Sequence, residues 1–308
     1  MFVVAGEALF DVFAAGETPT GLALDARVGG SPFNVAVGLA RLQQPVAFFG
    51  GVSQGFLGQR LLRALNEEGV GTCCTVELDA PSTLSLVGLD AQGVPSYAFY
   101  GAGAADRLLP AEALARVPPE ASAFHFGSYA MVVEPVASTQ RALVERESAR
   151  SLIAYDPNIR LNVQPDLQVW RAALDWMLPR THLLKVSDED LGLLYPQVPL
   201  AELAQRWLQA GVGLVVVTQG GEGVQAWARG VHVQSPPVRV AVVDTVGAGD
   251  TFQAALLTWL AEQGRLSPAG VRDWDAAALT AALDFAGRAA AITCARRGAD
   301  LPRRTELG

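Results

Sequence analysis

Short apolar runs rich in β-branched and aromatic residues alternate along this chain with stretches of helical periodicity. That alternation restricts the fold more than any other feature. Parallel strands need a long crossover between them, so the pattern predicts a mainly parallel central sheet covered by helices. Candidate strands are Phe2–Ala5, Val46–Gly50, Ala123–Phe126, Leu152–Tyr155, His182–Val186 and Leu214–Thr218. Between them, Phe56, Leu57, Leu61, Leu62 and Leu65 recur at helical spacing before Gly69, as do Phe252, Ala255, Leu256, Trp259 and Leu260 before Gly264. The Ala-rich stretch from Asp275 to Ala291 reads as a closely packed helix. With 308 residues, 50% hydrophobic and 18% charged, the chain can bury a large core, which excludes wholesale disorder. It suits a single α/β domain over residues 1–308, with no long linker, internal repeat or low-complexity tract.

Two segments break the rhythm. In residues 10–30, Leu22, Leu24, Ala26 and Val28 alternate with Ala23, Asp25 and Arg27. Residues 73–101 read as three short strands, Cys74–Leu78, Leu84–Leu89 and Ser96–Tyr100, separated by turn-forming residues at 79–82 and 91–93. Both segments are expected to form antiparallel β structure outside the core, a small sheet acting as a lid over one end of the main sheet.

The formal charge is −8, and 22 of the 23 basic residues are arginine, leaving Lys185 as the one lysine. No Lys/Arg-rich block stands out, which argues against a nucleic-acid partner, since such binding rests on neutralising phosphates. Cys73 and Cys74 are adjacent and Cys294 is alone, so no disulfide framework can be read. The N-terminus lacks a basic region and reaches Glu7 early, and no uninterrupted apolar run has membrane-spanning length. The expectation is a cytoplasmic protein with no membrane partner.

Chemistry concentrates in Asp244-Thr-Val-Gly-Ala-Gly-Asp250, directly before an amphipathic helical run. Gly247, Ala248 and Gly249 let the backbone turn so that successive N–H groups converge at a helix start. Such a terminus attracts anions, because its N–H groups lack intrahelical acceptors and the helix dipole is positive there. Asp250 would stand beside that anion hole, placed to accept a proton from an attacking hydroxyl and with a pKa lowered by the helix end. Taken alone, a Gly-x-Gly-Asp turn is more often a simple cap. A second segment, Gly29-Gly-Ser-Pro-Phe-Asn34, has glycines that permit close backbone approach to a ligand and leads into a helix carrying Val35, Leu39 and Leu42.

These two segments resemble the C-terminal and N-terminal signatures of the ribokinase-like (PfkB) family of sugar kinases, and the resemblance spans essentially the whole chain. It implies a three-layer α/β fold with a β lid and transfer of the γ-phosphoryl group of ATP to a sugar hydroxyl. Asp250 is then the base, and Gly247, Ala248 and Gly249 the anion hole. Asp11, Gly29, Gly30 and Asn34 would contact the sugar, with Phe99 on the lid and Arg160 of Asp156-Pro-Asn-Ile-Arg160 beside it. The nucleotide would meet Asn158, Lys185, Ser187, Thr218, Gly220 and Gly223. Asp190 would act on Mg2+ indirectly, and the positions of Asp244 and Val246 would take a K+ ion. A homodimer through the lids is the implied assembly. Asp11, Arg160, Ser187 and Thr218 each fall just past a candidate strand, where open α/β sheets bind ligands.

The combination of motifs most resembles bacterial fructokinases. 2-Keto-3-deoxygluconate, aminoimidazole riboside and ribose stay open as substrates, the first because Tyr97, Tyr100 and Arg107 in or beside the lid could serve a carboxylate. Two readings from other classes also stay open. A dinucleotide-binding dehydrogenase would need Gly-x-Gly-x-x-Gly after the first strand, where Gly6-Glu7-Ala8-Leu9 stands instead. A non-catalytic sugar or nucleotide sensor would keep the fold and lose Asp250 or its anion hole.

Overall fold

In the computed structural model, residues 1–89 and 95–308 are described. Strands run Phe2–Ala5 (β1), Leu9–Thr18 (β2), Gly21–Gly29 (β3), Val46–Phe49 (β4), Gly51–Ser53 (β5), Val76–Leu78 (β6), Leu84–Leu89 (β7) and Pro95–Tyr100 (β8). They continue with Ala123–Gly127 (β9), Leu152–Asp156 (β10), Leu183–Ser187 (β11), Leu214–Thr218 (β12), Val224–Ala228 (β13) and Val231–Ser235 (β14). The α-helices are Ser31–Arg41 (α1), Phe56–Glu67 (α2), Val136–Glu147 (α3), Leu167–Met177 (α4), Asp188–Leu194 (α5), Leu200–Gln209 (α6), Ala248–Glu262 (α7) and Ala276–Cys294 (α8).

The central sheet has eight strands in the order β14-β13-β12-β11-β10-β9-β1-β4. Pairing is parallel from β4 to β12, and an antiparallel hairpin, β13–β14, closes one edge. Both faces are covered, which is why the strands read as unbroken apolar runs. Phe2 and Val4 face a core shared with Leu39 of α1, Leu61 of α2, Leu257 of α7 and Leu283 of α8. Val3 and Ala5 face the opposite core, with Leu143 of α3, Trp170 of α4 and Trp207 of α6. Three layers result. Because β1 lies between β4 and β9, the chain reverses its direction of travel across the sheet there, and a crevice opens beyond the carboxyl ends of the strands.

The period-2 alternation of the strands also aims the polar residues at that rim. In β10, Leu152 and Ala154 lie in the α7–α8 core and Ile153 and Tyr155 in the other. Asp156, next in phase, faces α7. The same count along β11 and β12 brings Lys185 and Thr218 to that side.

The second sheet has the order β3-β2-β7-β8, as expected of residues 10–30 and 84–100. Two expectations need correction. The Cys74–Leu78 segment is not part of this sheet: β6 pairs with β5 in a separate two-stranded sheet, because Cys74 and Val76 are buried in the main core and Thr75 Oγ1 donates to Phe48 O at 2.8 Å. The second sheet is also not wholly antiparallel, since β2 and β7, joined through the core, pair in parallel. The expected 91–93 turn lies outside the described residues. Among the described residues, α8 alone is long and apolar enough to cross a membrane; here it packs along α7, and its Asp284 accepts from Ser235 Oγ at 2.6 Å.

Candidate active site

Helix α7 begins at the cleft. Gly247, its N-cap, takes φ 78°, a left-handed conformation, and an added Cβ would lie 2.6 Å from the Cβ of Ala299. Glycine is therefore required there on both conformational and packing grounds. The Ala248 N–H turns back on Thr245 O at 3.2 Å. That takes Ala248 out of the expected anion-hole set. The Gly249 and Asp250 amides, in the first turn, have no intrahelical acceptor and are available to an anion.

Asp250 is buried, and both carboxylate oxygens are held: Ser31 Oγ donates to Oδ1 at 2.6 Å and Asn34 Nδ2 to Oδ2 at 2.8 Å. Helix α1 carries both donors three residues apart, hence on one face. Burial raises the Asp250 pKa, and Ser31, Asn34 and Lys185 only temper the rise. That direction runs against the lowering expected at a helix start, because the carboxylate is desolvated. A raised pKa makes Asp250 a better base. Asn34 serves Asp250 through its amide nitrogen, which leaves its amide oxygen for the expected sugar contact.

Opposite α7, Lys185 Nζ donates to Asp156 Oδ2 at 2.7 Å, with both side chains buried. A Cβ on Gly249 would stand 3.1 Å from that ammonium. Asp190, in the first turn of α5, accepts from the Ile159 amide at 3.1 Å. Burial, reinforced by Asp156, pushes Asp190 up to about 6. Ser187 is the N-cap of α5, its Oγ accepting from the Asp190 amide at 3.0 Å. Asp244 braces its loop, accepting from Val246 N at 3.0 Å and Gly298 N at 2.8 Å.

Apart from Asp244, which does not line it, these groups border one cleft of about 1270 Å³. At one end stand Asp11, Gly30, Asn34, Phe99 and Arg160; at the other stand Asn158, Ser187, Thr218, Gly220, Gly223 and the loop through Val246. Arg160 spends one guanidinium nitrogen on the neighbouring Ile159 carbonyl at 2.9 Å and moderates the pKa values of Glu7, Asp11 and Asp190, so it lies near all three carboxylates. Burial also raises the Asp11 pKa, and an added Cβ at Gly29 would collide with Asp11 Oδ2. Phe99 packs edge-on against Tyr129, with centroids 6.4 Å apart.

Not every expected residue arrives. Tyr100 is 62% exposed and does not line the cleft, while Arg107 turns to Asp106 and lies 5.2 Å from the Tyr129 ring centroid. The Tyr97 side chain lies outside the described residues. Conversely, the cleft includes Ser31, Asp156 and Glu7, which stand inside the motifs yet were not singled out from sequence, and Ser128, which no motif signalled. Val238, Val240 and Val242 form an exposed apolar wall at the Thr218 end.

Comparison with known proteins agrees with this geometry. Residues 1–306 match the pfkB family of carbohydrate kinases. A fructokinase of Rhizobium leguminosarum bv. trifolii is 36% identical over 279 residues, covering 91% of this chain and 85% of the relative. A fructokinase of Klebsiella pneumoniae is 36% identical over 267 residues, covering 85% and 84%. Among solved structures, the ATP-bound fructokinase of Xylella fastidiosa superimposes with a TM-score of 0.89 at 28% identity, over 99% of this chain and 96% of that one. A Vibrio cholerae fructokinase bound to fructose, ADP and calcium gives 0.82 at 25% identity, over 99% and 97%. With a buried, doubly held carboxylate at a glycine-formed helix start and a match along nearly its full length, this chain belongs to the PfkB family of carbohydrate kinases and is an ATP-dependent sugar phosphotransferase.

Proposed function

We propose that the sugar phosphorylated is D-fructose and that Asp250 is the base. The observation that carries the mechanism is the Asp250 carboxylate, fixed by Ser31 and Asn34 beside the open amides of Gly249 and Asp250. An acceptor hydroxyl lying against Asp250 faces the anion hole, so one helix start positions both the nucleophile and the transferring group. Phosphoryl transfer has little covalent work for a protein to do, and positioning and electrostatics carry most of it. Asp250 takes the hydroxyl proton as the new O–P bond forms and the γ-phosphorus parts from the bridging oxygen, which leaves with ADP; Gly249 and Asp250 N–H groups and the Lys185 ammonium face the charge on the transferring phosphoryl. Fructose is favoured over 2-keto-3-deoxygluconate because Tyr100 and Arg107 turn away from the cleft, and the relatives named above are fructokinases.

The apolar Val238–Val242 wall suits an adenine ring, with Asn158, Thr218, Gly220 and Gly223 near the phosphates. Among the described residues no group of three or more His, Cys, Asp or Glu forms a metal cage. Mg2+ delivered on nucleotide phosphates asks for only one or two carboxylates, and Asp190 on the cleft wall fits that need. Bound there, Mg2+ would neutralise phosphate charge. Both Asp244 oxygens already accept amides, so a K+ ion would be held by backbone carbonyls at Asp244 and Val246. The four-stranded sheet would act as a lid, and its exposed Leu22, Leu24 and Tyr100 offer a surface for a second copy. The enzyme would work in the cytoplasm.

An ADP-release assay with fructose, 2-keto-3-deoxygluconate, ribose and aminoimidazole riboside tests the substrate. The expected result is the highest kcat/KM with fructose; a higher value with any other overturns the assignment.

A further inference from the structure

Glu7 follows β1 and Ser128 follows β9, two strands paired in register from Phe2↔Ala123 to Ala5↔Phe126, so the residues emerge side by side at the crevice. Both line the cleft and both are almost fully buried, at 2% and 1% exposure; the Ser128 hydroxyl lies close enough to Glu7 to temper the rise of its pKa, yet among the described residues neither Glu7 Oε2 nor Ser128 Oγ makes a hydrogen bond of good geometry. Ser128 also sits at φ 57°, a left-handed conformation unfavourable for a residue with a Cβ. An unmet buried polar atom costs about 1–3 kcal/mol, and a strained backbone a similar amount. Two such atoms side by side in a cleft wall point to a ligand that satisfies both.

We infer that Glu7 and Ser128 form a second polar anchor for the sugar, hydrogen-bonding a hydroxyl remote from the one phosphorylated. The subsite rests on the sugar-kinase reading and deepens it. Its position is set by neighbours: Glu7 and Asp11 both respond to Arg160, but Glu7 also responds to Asp106 and Asp11 to Asp250. The Glu7 carbonyl lies 2.8 Å from where a Gly30 Cβ would be, so the pair backs onto the same glycine turn that leads to Ser31 and Asn34.

The charged groups around Glu7 are Asp106, Arg107 beyond it and Arg160. Asp106 is occupied, accepting from Thr83 Oγ1 at 2.6 Å and Tyr129 OH at 2.8 Å. No cation pairs with Glu7, and burial pushes it up to about 8, so at neutral pH it is a carboxylic acid able to donate as well as accept. A sugar hydroxyl can accept from that acid while donating to Ser128. A site built this way rejects an analogue lacking the hydroxyl, because its buried groups then stay unmet.

Three variants test the subsite with fructose, or whichever of the four acceptors the wild type turns over fastest. Glu7→Leu should raise the sugar KM about 10- to 100-fold, leave the MgATP KM unchanged, and hold or raise the Tm, since an unmet buried carboxyl has been removed. Ser128→Gly, which keeps the left-handed backbone, should raise the sugar KM about 3- to 10-fold. Glu7→Gln, resembling the neutral acid, should stay near the wild-type KM at pH 7. It should also lose the fall in sugar kcat/KM that the wild type is expected to show as pH rises through about 8. A purely structural Glu7 would give unchanged KM in the Leu and Gly variants; that result, or the same alkaline fall in Glu7→Gln, overturns the subsite while leaving kinase activity intact. Failure of the wild type to phosphorylate any of the four acceptors would overturn the sugar reading and the subsite together.

Discussion

The Lys185 ammonium stands over Gly249, near enough that a Cβ on the glycine would meet Nζ at 3.1 Å. A cation set against the positive end of a helix is electrostatically unfavourable. Asp156 neutralises part of the charge, and an anion between Lys185 and the Gly249 and Asp250 amides would remove the conflict. On the proposed reading, one lysine and a helix start would form the phosphoryl site, without the glycine-rich Walker loop that places a lysine after its last glycine. Lys185→Met should lower kcat about 100- to 1,000-fold with little change in sugar KM. It should also destabilise the fold by about 3–5 kcal/mol by stranding Asp156. Adding Asp156→Asn should recover most of the stability and none of the turnover, as read by denaturant unfolding and steady-state kinetics.

Ser31 tests how Asp250 is tuned. Its hydroxyl stabilises the Asp250 carboxylate against a pKa raised by burial. Losing a hydrogen bond to a charged group costs about 1.5–3 kcal/mol, so Ser31→Ala should move the acid limb of the kcat–pH profile up by about one to two pH units. Activity on the plateau should be nearly kept. An unmoved limb would mean that Asp250 is not the titrating base.

Gly29→Ala probes the sugar end alone. The new Cβ would collide with Asp11 Oδ2 and displace that carboxylate. The sugar KM should rise about 10-fold or more, with the MgATP KM within twofold of wild type, as measured by initial-rate kinetics.

Asp190 affects stability through pH. Its folded pKa, about 6, lies above the ordinary carboxylate value, so the native state holds the proton more tightly than the unfolded chain. Stability from this group is greatest below about pH 4 and is lost as pH rises towards about 6. Relative to Asp190→Asn, which keeps an oxygen for the Ile159 amide, the wild-type Tm should drop by roughly 2–5 °C between pH 4 and pH 7. Paired thermal melts at the two pH values check this.

The sheet was legible because its strands are buried on both faces and so stand out as apolar runs, and α7 because its apolar spacing ends cleanly at Gly264. Residues Cys74–Leu78 were misplaced because a short β segment looks alike whether it caps a core or joins a lid; only its burial beside Phe48 separates the two. Asp250, Asn34 and Lys185 could be read from their motifs, but not the partners that tune them. The Ser31–Asp250 bond joins residues 219 apart, and nothing local to either announces it. Ser128 was invisible because what marks it is a buried hydroxyl beside Glu7 on a left-handed backbone, a property of the fold rather than of residue type.

The central claim is that Asp250 takes the proton from the sugar hydroxyl during transfer from ATP. The direct measurement is kcat of Asp250→Asn with fructose and saturating MgATP, alongside calorimetric binding of each substrate. Removal of a general base should lower kcat about 100- to 10,000-fold while both substrates still bind. Turnover within tenfold of wild type would contradict the account.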